Sequence, residues 1–70
     1  MNFDHVRDTV WDIWTDCGRD TCDPRIIDRA VVSTSLDANT EREWAFKALR
    51  YLGADPDDVE DLRREIARHL

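Results

Sequence analysis

The chain has 70 residues, 16 acidic against 10 basic, for a formal net charge of −6. A chain this short buries only about 60% of its unfolded surface, too little for a deep cleft between two lobes, and its charge repels phosphate backbones, which disfavours direct binding of nucleic acid. Its 41% hydrophobic content, with three Trp, two Phe and one Tyr, implies one folded domain spanning residues 1–70, not a disordered segment.

The start, Met1 to Asp8, is charged and leads into no apolar run, so neither a secretory signal nor a membrane span is expected, and the protein is expected to be cytoplasmic. Apolar residues then fall at Phe3, Val6, Val10, Ile13, Trp14 and Cys17, the spacing of an amphipathic helix. Asn2 suits its N-cap and Gly18 its end, which predicts a helix over about 3–17. On nearly the opposite arc stand Asp4, Asp8, Asp12 and Asp16, with Asp20 continuing the count. At about 100° per residue these carboxylates form a slowly winding row, each step rising about 6 Å. Like charges at i,i+4 destabilise a helix by roughly 0.2–0.5 kcal/mol per pair, so the row works against its own helix. Trp11 lies on the border between the apolar arc and the aspartates, and His5 lies among them.

Cys22-Asp23-Pro24 opens the next segment, with Asp23 as cap, Pro24 in the first turn and Cys22 placed to pack on Ile27. Ile26, Ile27, Ala30 and Val31 make a helical arc over 24–34, although their β-branching also suits a short strand. Helix is preferred because no partner strand occurs elsewhere. Ser33-Thr34-Ser35 should fray its end, and Leu36 is expected to tuck the connection onto the core. Cys17 and Cys22 form neither a disulfide framework nor a zinc spacing and are read as reduced thiols.

Thr40-Glu41-Arg42-Glu43 matches a capping box and starts a helix over 41–52, with Trp44, Ala45, Ala48, Leu49, Tyr51 and Leu52 inward and Gly53 as its stop. Arg42, Phe46 and Arg50 recur on its other face with Lys47 nearby. Asp55-Pro56-Asp57-Asp58 opens a last helix over 56–69, acidic at its start and basic at its end, with an apolar stripe of Val59, Leu62, Ile66 and Leu70. The fold class is therefore all-α, a compact bundle of four short helices.

The final two helices around Gly53 imitate a helix-turn-helix, but Asp55, Asp57, Asp58, Glu60 and Asp61 at the second start would repel DNA. No phosphate loop, nucleophile with a spaced base, or metal box is present, so the sequence points to a non-enzymatic protein with no catalytic residues, cofactor or metal. The aspartate row has a plain explanation as a solvated face. Against it stands uniformity, since solvated faces usually mix Asp and Glu with Lys or Arg and gain i,i+4 attraction. The sharper reading is a docking face formed by Asp4, Asp8, Asp12, Asp16 and Asp20, flanked by Trp11 and helped by Asp57, Asp58 and Asp61, for a basic protein surface that itself binds nucleic acid. Trp11 is equally readable as the edge of a wide core. The alternative is a homo-oligomeric regulatory or adaptor module joined through Arg42, Phe46 and Arg50 or through Trp11.

In size, acidity and helical pattern the chain resembles the small acidic inhibitors encoded by bacteriophages, among them anti-CRISPR proteins and other DNA mimics. That class has no signature sequence, and the resemblance assigns no residues. It implies a stoichiometric blocker of a nucleic-acid-binding machine, such as a CRISPR surveillance complex.

Overall fold

Three of the helices start where a side chain satisfies amide groups that a helix leaves unpaired. In the computed structural model, which describes residues 2–16, 23–54 and 59–70, α1 covers Phe3–Asp16, and the Asn2 amide oxygen accepts the His5 N–H at 3.3 Å. Helix α2 covers Pro24–Thr34, and the Asp23 carboxylate accepts the Arg25 N–H at 2.9 Å. That backbone bond, with the Arg25 charge, holds the Asp23 carboxyl below its ordinary value of 3.8. Helix α3 covers Glu41–Leu52, with Thr40 Oγ1 accepting the Glu43 N–H at 3.1 Å. The expected return arm of the capping box is replaced by an ion pair, as Glu43 turns instead to Lys47 Nζ at 3.3 Å. Gly53 ends α3 at φ 110°, a left-handed conformation that a side chain would strain, and the Ala54 N–H closes on Leu49 O at 3.0 Å. Helix α4 covers Val59–His69. The expected roles of Cys17, Gly18 and Cys22, and of Asp55 and Pro56 as the opening of α4, lie outside the described residues.

The described residues form an all-α bundle of four helices and no strand, with extents of 27 × 26 × 18 Å. Helix α3 packs against each of the other three. Its Ala45 and Ala48 are fully buried, and such small side chains let neighbouring backbones approach closely. Around them gather Val6, Val10, Ile13 and Trp14 from α1, Ile27, Ala30 and Val31 from α2, and Leu62 and Ile66 from α4. Burying a Val, Leu or Ile stabilises by about 1.5–3 kcal/mol, so these positions dominate the fold's favourable energy.

Four expectations about the apolar arcs are corrected. Leu36 is 97% exposed and does not cover the core. The chain leaves α2 through a 3-10 turn at Ser35–Asp37, so Leu36 stays on the outer side already marked by Val32 four residues earlier, and Ala38 seals the connection. The hydroxyls of Thr34 and Ser35 donate to Ala30 O and Val32 O at 2.8 Å each, which tightens this end where fraying was expected. Tyr51 is 53% exposed, on the wall of an open groove with Thr34 and Asp37 at the end of α2, and Ile26 faces outward at 42%. Phe46, read as a stray aromatic on the outer face, is partly buried against the core, with the Arg63 guanidinium 4.6 Å above its ring.

Trp44 joins three helices. Its Nε1 donates to Val31 O at 2.6 Å in a buried bond, and its ring lies 6.1 Å from that of Phe3 at 60°. Trp44→Phe keeps an aromatic ring but removes this donor and leaves the Val31 oxygen with the longer bond from the Thr34 hydroxyl at 3.4 Å. A buried hydrogen bond contributes about 0.5–1.5 kcal/mol, and equilibrium denaturation should show a loss of that size.

Candidate functional site

The face of α1 opposite its buried arc is set by the same 3.6-residue repeat that builds the core. Because Val6, Val10, Ile13 and Trp14 must face α2 and α3, Asp4, Asp8 and Asp12 are turned to solvent, and all three are exposed. Thr9 is buried between the two faces, its hydroxyl donating to His5 O at 2.9 Å. Asp16 is the last residue of α1. The side chain of Asp16 and the whole of Asp20, Asp57 and Asp58, which the sequence also assigned to the face, lie outside the described residues. Asp61 is exposed on α4, and no interaction among the described residues ties it to the α1 row.

Among the described residues, Arg7 is the one cation within ion-pair distance of the row. Its Nη2 is 3.7 Å from Asp8, and its Nε is 3.9 Å from Asp28 Oδ1 of α2, a buried oxygen without a hydrogen-bond partner. The exposed Arg7–Asp8 pair contributes at most about 1 kcal/mol. No described side chain forms an ion pair or hydrogen bond with the carboxylates of Asp4 or Asp12. The row is thus a continuous negative strip over the described length of α1. Removing Asp12 relieves repulsion without breaking an ion pair among the described residues, whereas removing Asp8 also gives up its weak, exposed pair with Arg7.

Trp11 has a double position. It packs against the core, as the wide-core reading requires, and it also walls an open groove between α1 and α2 with Arg7, Asp8, Pro24, Ile27 and Asp28. Asp28 therefore extends the acidic surface onto α2. Sequence reasoning missed it, because it belongs to a different helix whose rotation about its axis no periodicity in α1 reveals. Near the start of α1, His5 Nδ1 approaches Glu41 at 3.4 Å, and the Asn2 N–H donates to the same carboxylate at 2.9 Å. Glu41 thus ties the start of α3 to that of α1, a second connection without a sequence signal.

The concave features beside these helices are open grooves, and no group of three or more His, Cys, Asp or Glu among the described residues is arranged to hold a metal ion. No helix among them is long and apolar enough to cross a membrane. Comparison with family models, curated proteins and solved structures finds no match.

Arg7→Ala makes the net charge more negative and removes the cation beside the buried Asp28 Oδ1. A stability loss of about 1–3 kcal/mol is expected, measured by urea denaturation, and an unchanged stability would contradict this role for Arg7.

Proposed function

We propose that this protein is a non-enzymatic acidic binding protein, a DNA-mimic inhibitor of the phage anti-CRISPR kind, that blocks a basic nucleic-acid-binding protein surface with the outer face of α1. The observation that supports this reading is the solvent-facing row of Asp4, Asp8 and Asp12, whose spacing is fixed by the helix and which the protein's own cations leave largely uncompensated. A groove built to receive phosphates is lined with Lys and Arg and holds counterions. A rigid strip of carboxylates can replace the nucleic acid there and release the same ions. Rigidity matters, because a face already ordered by the core loses little conformational entropy on docking. Trp11, at the edge of the strip, supplies the apolar contact that long-range charge lacks.

Blocking of this kind is stoichiometric, one inhibitor for each surface covered, and a molecule 27 Å in its longest extent is of a size to lie along such a groove. The target class is a nucleic-acid-binding complex, such as a CRISPR surveillance complex in the host cytoplasm, engaged through protein and not through its nucleic acid.

The test uses the parent and the triple variant Asp4→Asn, Asp8→Asn, Asp12→Asn, each immobilised and exposed to a bacterial host lysate. The parent is expected to retain basic, nucleic-acid-binding subunits that elute with rising salt and are displaced by duplex DNA. The variant is expected to retain at least tenfold less. Equal capture by the variant, or captured proteins indifferent to DNA, would refute the reading.

A further inference from the structure

The same acidic chain carries an oppositely charged surface on α3. Arg42 and Arg50 are exposed there, eight residues apart, with Lys47 between them and Arg63 reaching across from α4 to lie on Phe46. Arg42, Glu43, Phe46, Lys47 and Arg63 line an open groove between α3 and α4, in which Phe46 is the large apolar side chain within reach, while Arg50 lines the neighbouring groove with Lys47, Asp37 and Tyr51. Lys47 is engaged by Glu43 and by the Asp37 carbonyl. By contrast, no carboxylate among the described residues forms an ion pair with Arg42, Arg50 or Arg63, in a chain where acids outnumber bases sixteen to ten.

We infer that this basic band of α3 and α4 docks the aspartate row of α1 from a second copy of the chain. Charge complementarity selects that occupant, and geometry matches it. Arg42 to Arg50 and Asp4 to Asp12 are both two steps of four residues on a helix, about 12 Å end to end, so both ends of each row pair in one alignment. Guanidinium groups can hold carboxylates with two parallel hydrogen bonds, and Arg42 and Arg50 are exposed to do so. Trp11, at the margin of the row, then faces the apolar floor of the groove. The contact joins two different surfaces, so in a pair one copy keeps its row free and the other its band, and association is head-to-tail. It also covers the face assigned above to the target, which makes self-docking a competitor of target binding. The inference itself does not rest on that target existing.

Sedimentation in about 0.1 M salt, where exposed charges are screened beyond about 10 Å, tests it with two complementary variants. One neutralises the row with Asp4→Asn, Asp8→Asn and Asp12→Asn. The other reverses the band with Arg42→Glu and Arg50→Glu, both at exposed positions, and circular dichroism verifies that each remains helical. The parent is expected to associate reversibly below about 1 mM and each variant alone at least tenfold more weakly, while a 1:1 mixture of the two restores a species of two chains. A parent that stays monomeric to about 1 mM overturns the inference, as does a mixture that assembles no better than its components. Undiminished association of the Arg42→Glu, Arg50→Glu variant also overturns it and points to the exposed Leu36 and Tyr51 instead. If either variant fails to fold, amide NMR shifts of the parent on dilution decide. Coupled shifts at residues 4–12 and 42–50 support the contact, and shifts confined elsewhere refute it. Capture of the lysate partner by the Arg42→Glu, Arg50→Glu variant separates the two accounts, because that variant keeps the row intact.

Discussion

The buried indole of Trp44 fixes α1 and α2 against the central helix. Its N–H is committed to the Val31 carbonyl and its ring to Phe3, so α3 fixes α2 and α1 at the same place, and the small Ala45 and Ala48 beside it allow the close approach. A 70-residue chain has surface for only one core, and this one is built around a single central helix. Once α1 is rotated to deliver Val6, Val10, Ile13 and Trp14 to that core, no freedom remains in where its aspartates point. The acidic face is therefore a geometric consequence of the core, while its composition is not. Lys or Arg at position 8 or 12 would satisfy the fold equally well and add i,i+4 attraction.

Much of this was legible in the sequence because helices report themselves through periodicity and caps. Asp23 before Pro24, Thr40 before Glu41 and Gly53 after Leu52 each mark a terminus by a local mechanism, and the observed bounds follow them. The inward residues of α1 were equally readable. What failed was the edge of each arc. Tyr51 and Ile26 are near enough to the buried side to count as core on a helical wheel, but whether a neighbour covers them depends on where that neighbour ends. Leu36 depended on the 3-10 turn, which has no strong sequence mark. Phe46 erred the other way, since its cover comes from Arg63 and α4, seventeen residues later in the chain.

For the candidate site, the row itself was legible and its surroundings were not. Asp4, Asp8 and Asp12 stand where the spacing placed them. The contribution of Asp28, the bridging of Arg7 and the tie from Glu41 to Asn2 and His5 arise from helix packing and needed coordinates. The two charged faces share one logic. A protein of net charge −6 leaves Arg42, Arg50 and Arg63 unpaired on α3 and α4 while Asp4 and Asp12 stand unpaired on α1. Charges left open in this way are available for contact with another molecule.

The central claim is that the carboxylate row is held against internal repulsion for the benefit of an external contact. It is tested most directly by comparing urea denaturation of the parent with that of an Asp8→Asn, Asp12→Asn variant at low and at high salt, at protein concentrations where both are monomeric. Both positions lie beyond the first turn of α1, so dipole stabilisation does not confound the result. The account requires the variant to be more stable at low salt, by about 0.6–1.5 kcal/mol for three relieved i,i+4 pairs, with the gain fading as salt rises. A variant less stable than the parent at every salt concentration would show that these carboxylates serve the fold, and would contradict the account.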